Sequence, residues 1–426
     1  MLQGKKNTKI KWIGEIPANW ELCRFKDIAS LYTGNSIKDD DKELCEDSIN
    51  ARPYIATKDV DAVLHSVNYD NGLYIKLDDE SFKVAPSESV LMCIEGGSAG
   101  KKKAYINRDV CFVNKLCCFR PSTRVIPKFM YYFMCTANYE TAFNSNITGL
   151  IGGVSVSTLK TLSFPLPPID EQRRIVAHLD EKCSHIDTVI DKTRQSIEEY
   201  KSLKQAVITQ AMTKGITENR SFKDTEYSWI GQIPVDWSII RIKWLLNERN
   251  ERSVNGEEEP LSMSQKYGLI PTKEMDSIPN MASSFVGAKL VHKGDLVFNK
   301  LKAHLGVFAV SNYEGLVSPD YAVYYSAGMA DMKYLEYLFK TPQYINEFKK
   351  KSSGVGAGLT RLYTGDLYSI YCALPPLNEQ KEIVDYVDSK VKEMDLLIAK
   401  KEEFLSELED YRKAYIFEYV TGKIRI

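Results

Sequence analysis

The residues best placed for chemistry in this sequence are cations on glycine-flexed loops. Residues 96–128 hold Lys101, Lys102, Lys103, Arg108, Lys115, Arg120, Arg124 and Lys128 against the single acid Asp109. Gly96, Gly97 and Gly100 open the run, so the backbone there can approach a partner closely. A comparable loop further on carries Asn299, Lys300, Lys302 and His304, and Arg361 follows the glycine-rich stretch Gly354-Val-Gly-Ala-Gly358. Lysine and arginine on such loops suit phosphate contacts, while Asn, Arg and Lys side chains can read base edges in a major groove. The pattern points to nucleic acid. The candidate contacts are Lys101, Lys102, Lys103, Asn114, Lys115, Asn299, Lys300, Lys302, His304 and Arg361. A solvated basic surface with no partner is the competing reading.

Catalytic spacings fail one by one. Gly96-Gly-Ser-Ala-Gly100-Lys101-Lys102 approximates a phosphate loop, but it is one residue short and lacks the Ser or Thr that would hold magnesium. In Gly354-Val-Gly-Ala-Gly358 the third glycine of a dinucleotide loop is replaced by Leu359. There is no Asn-Pro-Pro-aromatic tetrapeptide of the amino-methyltransferase kind and no G-x-S-x-G elbow. The acid runs Asp39-Asp-Asp41 and Glu257-Glu-Glu259 fall in polar, loop-like stretches and read as solvated. Among 9 cysteines and 5 histidines there is no C-x-x-C and no paired histidine spacing, so reduced thiols and no metal are expected. No catalytic residue is expected in this chain.

The composition agrees with that. The chain has 426 residues, 56 basic against 57 acidic, and is 44% apolar and 27% charged. This is ordinary globular usage for two or three domains, not a disordered chain, a fibre or a disulfide scaffold. A net charge of −1 excludes a generic polycation but leaves room for local basic patches. No apolar run approaches the roughly 18 residues of a membrane span, and the opening MLQGKKNTKIKW has no apolar signal core. A cytoplasmic protein is expected.

The elements that position these loops come from a duplication. Trp12-Ile-Gly-Glu-Ile-Pro17-Ala-Asn-Trp20 recurs as Trp229-Ile-Gly-Gln-Ile-Pro234-Val-Asp-Trp237, and Leu166-Pro-Pro-Ile-Asp-Glu-Gln172 recurs as Leu374-Pro-Pro-Leu-Asn-Glu-Gln380. The offsets are 217 and 208 residues. Between these anchors the similarity nearly vanishes, save that Val90-Leu-Met-Cys leads to Gly100 as Leu296-Val-Phe-Asn leads to Gly306. The middle segments therefore share a fold while their surfaces have diverged.

After each Leu-Pro-Pro the period turns helical. Asp170 or Asn378 supplies an N-cap side chain, and Glu171 or Glu379 suits the positive end of the helix dipole. The first helix then places Val176, Leu179, Cys183, Ile186, Ile190, Thr193, Ile197, Tyr200, Lys204 and Val207 at spacings of three and four. The second places Val384, Val387, Val391, Met394, Ile398, Lys401, Leu405, Leu408, Arg412 and Tyr415. Such a seam, sustained over about four heptads, reads as coiled coil. Two like halves related by a pseudo-two-fold axis would pair these helices antiparallel, as a rod of about 65 Å. The expected architecture is α+β: two globular α/β domains joined by two long helices in an antiparallel coiled coil, with internal pseudo-two-fold symmetry. The expected boundaries are 1–165 for the first domain, 166–216 for the first helix, 217–373 for the second domain and 374–426 for the second helix.

As a set, the doubled W-I-G-x-I-P-x-x-W and L-P-P-x-x-E-Q motifs with their charged heptad helices resemble the specificity subunit of type I restriction–modification systems. The resemblance covers nearly the whole chain. It implies that segments of roughly 20–165 and 237–373 are target recognition domains, each reading one half of a split double-stranded DNA sequence, and that the coiled coil fixes the unread gap. It also implies two modification subunits that methylate adenine with S-adenosylmethionine, and two restriction subunits that use ATP and Mg. This chain would hold no cofactor. The alternatives are a self-contained DNA-modifying enzyme and a coiled-coil scaffold.

Overall fold

The computed structural model describes residues 4–38, 46–63, 65–265, 267–277, 284–354 and 360–426. The acid run at Asp39 and most of the glycine stretch after Gly354 lie outside the described residues. The chain forms two compact units, residues 1–195 with 402–426, and residues 196–401.

In the first unit, strands β1 (Ala29–Thr33), β2 (Val90–Cys93), β3 (Lys103–Tyr105) and β4 (Leu116–Pro121) make an antiparallel sheet in the order β1-β4-β2-β3. Strand residues alternate faces. Val90, Met92, Cys117 and Phe119 join one core, while Leu91, Cys93, Leu116 and Cys118 join another. Both faces are covered, which is why β2 and most of β4 read as unbroken apolar runs. The first core also holds helices α1 (Pro127–Met134) and α2 (Ala137–Asn144), opened by Pro127 and by the Thr136 hydroxyl, which accepts from the Tyr139 N–H.

Trp20, Phe25 and Phe164 complete that core together with Ile175, Val176, Leu179 and Cys183 of the long helix α3 (Ile169–Lys214). The far end of the chain reaches it too, through Ile416, Tyr419 and Val420 of helix α6 (introduced below). A Cβ on Gly422, whose φ is +69, would lie 2.4 Å from Pro17 Cδ, so only glycine lets the backbone pass there.

The second unit repeats this plan. Strands β5 (Leu246–Glu248), β6 (Leu296–Asn299), β7 (Phe308–Val310) and β8 (Tyr321–Ser326) are antiparallel in the order β5-β8-β6-β7. Leu296, Phe298, Ala322 and Tyr324 face one core, and Val297 and Val323 face the other. Helices α4 (Met332–Phe339) and α5 (Pro342–Lys351) take the places of α1 and α2, and α6 (Leu377–Val420) that of α3. The faint trace between β2 and β6 is thus a real equivalence. Beyond this sheet, Ala51–Ile55, Tyr74–Lys76, Val84–Ala85 and Val110–Phe112 form a second four-stranded sheet in the first unit. The second unit has two strand pairs there, Leu261–Ser264 with Gly268–Pro271 and Lys289–Val291 with Gly315–Val317, joined by a parallel bridge of Pro260 to Leu316.

Each unit contains lengths of both α3 and α6, and in each the two helices run antiparallel. In the first, His178 meets Tyr415 at 2.8 Å, Asp187 meets Arg412 at 2.6 Å and Arg194 meets Glu409 at 2.9 Å. In the second, Lys401 lies 5.5 Å over the Tyr200 ring and Lys204 meets Asp395 at 2.5 Å. Every seam position named from the sequence is buried or half-buried. The long charged helices are held by this seam and not by propensity alone.

The hinge glutamines anchor α3 and α6 to the domains. Gln172 is fully buried; its Oε1 accepts from the Ile126 N–H at 2.7 Å, and its Nε2 donates to Arg124 O at 3.1 Å and Pro167 O at 2.8 Å. Gln380 accepts from the Asp331 N–H at 2.7 Å and donates to Met329 O at 3.2 Å and Pro375 O at 2.9 Å. Ile126 and Asp331 are the residues that start α1 and α4. In each unit one glutamine therefore ties the start of a domain helix to the start of a long one.

Candidate nucleic-acid interface

In the first unit three segments meet where β2 ends. The β2–β3 hairpin closes with the Cys93 N–H on Lys102 O at 2.8 Å and the Gly100 N–H on Cys93 O at 2.8 Å. The turn before β4 lies beside it, because the Ile94 N–H donates to Lys115 O at 3.0 Å. Residues 148–154 complete the group, with the Val154 N–H on Ile94 O at 2.9 Å and the Gly96 N–H on Gly152 O at 2.7 Å. This brings Lys101, Lys102, Asn114 and Lys115 to one end of the sheet. Lys101, Asn114 and Lys115 are exposed; Lys102 is half-buried, its ammonium donating to Thr57 O at 2.8 Å.

Lys103 does not belong with them. It pairs with Met92 in the ladder and faces the helices, where it is fully buried and donates to Met134 O at 2.9 Å and Glu140 Oε1 at 2.8 Å. A buried cation needs such partners, so Lys103 is a structural ion and not a phosphate contact. Arg124 and Lys128 are engaged as well, with Glu21 at 2.6 Å and Asp180 at 2.7 Å. The dense basic run of the sequence thus divides, with Lys101, Lys102 and Lys115 at the end of the sheet, Lys103 buried, and Arg124 and Lys128 in exposed ion pairs.

The second unit gathers the equivalent segments at the end of β6. The Asn299 N–H donates to Val307 O at 3.1 Å across the β6–β7 hairpin, and the Leu362 N–H donates to Lys300 O at 3.0 Å. Asn299, Lys300 and Arg361 come together here, and the Arg361 guanidinium reaches Asp320 at 2.9 Å. Burial, then repulsion from Lys289 and Arg361, lowers the Lys300 pKa below the usual lysine value. An anion among these cations would relieve that strain. Lys302 is exposed, and His304 is half-buried with its Nδ1 lacking a hydrogen-bond partner among the described residues.

Asp320 and Tyr321 are the residues that sequence reasoning missed in this group. The turn holding Pro319 and Asp320 occupies the place of Asn114 and Lys115, so one unit has an exposed lysine where the other has a carboxylate paired with Arg361. The sequence signal was absent because similarity between the anchors is too faint to align the turns. Among the described residues no three His, Cys, Asp or Glu side chains are grouped to hold a metal ion, and the eight cysteines described are free and buried. No described helix is long and apolar enough to cross a membrane.

The family model of the type I restriction modification DNA specificity domain matches residues 17–199 and again 234–405. Both matches begin at the proline of the Trp-Ile-Gly motif and run into a long helix. The chain belongs to this family. A protein provisionally named the MjaX type I restriction enzyme specificity subunit, from Methanocaldococcus jannaschii, is 26% identical over 99% of this chain and 97% of its own length. The EcoKI specificity subunit of Escherichia coli is 22% identical over 88% of this chain and 82% of its own. A solved chain from work on the structural basis of complex assembly and conformational transition of the type I R-M system shares the fold, with a TM-score of 0.68 at 16% identity. The superposition covers 96% of this chain and 99% of that one.

Proposed function

We propose that this chain is the address-reading subunit of a type I restriction–modification complex and carries no catalytic group of its own. Its first domain reads one half of a bipartite double-stranded DNA target, its second domain reads the other, and the paired helices set the gap between them. The observation that carries this reading is one frame with two faces. The units repeat their sheet order and their hinge glutamines, yet they present Lys115 in one and Asp320 in the other from the same turn. Half-site spacing is a geometric consequence of protein shape, and a stiff helix pair is a means of fixing it.

In this reading two modification subunits dock on the repeated surfaces and bring S-adenosylmethionine for adenine methylation. Two restriction subunits bring ATP and Mg for translocation and cleavage, and the complex works in the cytoplasm. Of the candidate contacts, Lys101, Lys102, Asn114, Lys115, Asn299, Lys300, Lys302, His304 and Arg361 remain assigned to DNA. Mapping methylated adenines across the host genome tests the reading. A two-part motif with one fixed gap, altered when either domain is exchanged, is the expected result. Methyl transfer by the purified chain alone, or a complex without sequence preference, would overturn it.

A further inference from the structure

The third segment of the first interface has a tip of unusual chemistry. Thr148 and Gly153 exchange both backbone hydrogen bonds, at 2.9 and 3.0 Å, and the Gly152 N–H closes on Gly149 O at 3.2 Å. Gly149 and Gly152 have φ of +82° and +72°, which permits so tight a reversal. The base is clamped to the end of β2 through Gly96 and Ile94, as described above. Between the glycines stand Leu150, fully exposed at 108%, and Ile151 at 72%. Lone exposed apolar residues are common, but a branched pair on a clamped turn is a presented feature.

Two observations choose its partner. The base of the tip lies beside the loops that hold exposed Lys101 and Lys115, two cations against one acid, Glu95, which bridges to Gly153, so an anionic partner with an apolar spot suits it best. Duplex DNA has that form: phosphates line the groove walls, and the thymine C5-methyl is the apolar group at the base edges of the major groove. The Gly-Leu-Ile-Gly sequence of the tip is also not repeated. The corresponding hairpin of the second unit pairs Ser353–Gly354 with Thr360–Arg361, and the sequence between reads Val-Gly-Ala-Gly-Leu. A partner met alike by both halves would be met by recurring residues, as Gln172 and Gln380 recur. A sequence confined to one half serves what differs between the halves.

We propose that Leu150 and Ile151 form an apolar reading tip that enters the major groove of the first half-site and packs against a thymine C5-methyl. This rests on the reading of the chain as a DNA-specificity subunit. The test uses the complex of this chain with its methyltransferase subunits and duplexes carrying the mapped target, each half-site thymine replaced in turn by deoxyuridine. One replacement should weaken wild-type binding about four- to tenfold, the worth of a buried methyl. The Leu150→Ala/Ile151→Ala variant, altered only at exposed positions, should show the same loss on thymine DNA. It should show no further loss on the uracil duplex, and its binding to non-specific DNA and its salt slope should be unchanged.

If no uracil position matters to the wild type, or if the variant weakens equally on all duplexes, the tip does not read a base. If the variant instead loses assembly with the methyltransferase, the tip meets protein and the proposal is wrong. A wild-type complex that methylates a bipartite site yet ignores every uracil overturns the tip alone. The absence of any bipartite site would overturn the reading beneath it.

Discussion

Arg412 donates to Asp187 at 2.6 and 3.2 Å across the helix pair of the first unit, and Lys204 donates to Asp395 at 2.5 Å in the second. Each pair maps onto the other by the 208-residue offset of the repeat. The two contacts are the same device in different settings. Arg412 is only 11% exposed, whereas Lys204 is 29% exposed and its partner 52%. Burial opposes the Arg412 charge, yet hydrogen bonding to Asp187 and the neighbouring Tyr131 and Cys135 raise its pKa above the ordinary arginine value. The position thus joins α3 and α6 with the domain helix α1.

Replacing Arg412 with alanine should therefore cost far more than replacing Lys204. Removing one partner of a buried pair costs about 3–5 kcal/mol, and the partial exposure of Asp187 trims this to about 2 kcal/mol. The Lys204→Ala change should cost less than about 1 kcal/mol. Urea unfolding of both variants measures the difference, and equal losses would show that Arg412 does not lock the first unit.

The hinge glutamines should behave alike in both halves. Gln172→Leu removes the partner of the Ile126 N–H and of two carbonyl oxygens around a buried side chain, and Gln380→Leu does the same beside Asp331. Each should lower stability by about 3 kcal/mol, readable by denaturant midpoint. A loss below about 1 kcal/mol would mean that water reaches the hinge.

Lys101 and Lys103 should part company. Lys101→Ala should leave the melting temperature alone and reduce the salt dependence of DNA binding by about one ion. Lys103→Ala should destabilise the fold by removing the nearer of the two cations that pair with Glu140 and leaving Met134 O without its donor, while the salt slope of the folded protein stays as in the wild type. Binding titrations across salt, beside thermal melts, separate the two.

Lys300→Met should trade stability against affinity. The folded pKa of Lys300 lies below its unfolded value, so its charge is a burden at neutral pH. The linkage sign follows: in the window between the lowered folded pKa and the free lysine value near 10.4, the unfolded chain binds more protons and stability rises with pH. The methionine variant should melt higher at pH 7, with the gap narrowing as pH climbs through that window, and should bind target DNA several-fold more weakly. A variant that melts lower would show that the ammonium is well satisfied without DNA.

Matched insertions of four residues in α3 and α6 should lengthen each by about 6 Å. The unread gap should grow by one or two base pairs at about 3.4 Å each, with both half-sites retained. Adenine mapping of the variant complex reads this, and an unchanged gap would remove the helices from the measuring role.

What was legible in the sequence was whatever is periodic or repeated. The seam from Val176 to Tyr415 and the doubled anchors follow from local spacing, and the structure places them as read. Three-dimensional partnership was not legible. Lys103 looks like Lys101 and Lys102 in one dimension, and only the fold reveals Glu140, 37 positions away, as its counter-ion. Gln172 was visible as part of a motif, but two of its three hydrogen bonds need residues 46 and 48 positions upstream. Leu150 and Ile151 read as ordinary apolar residues until the hairpin showed them facing outward.

The first unit is discontinuous: Trp20 shares its core with Ile416, Tyr419 and Val420, whereas residues 196–401 form the second unit in one stretch. Domains generally fold in the order the ribosome delivers them. Here the later stretch is complete by Lys401, and the earlier one stays open until its final helix emerges. The half made first closes last, and a nascent polypeptide stalled near residue 401 would display an unsealed aromatic cluster to chaperones and proteases.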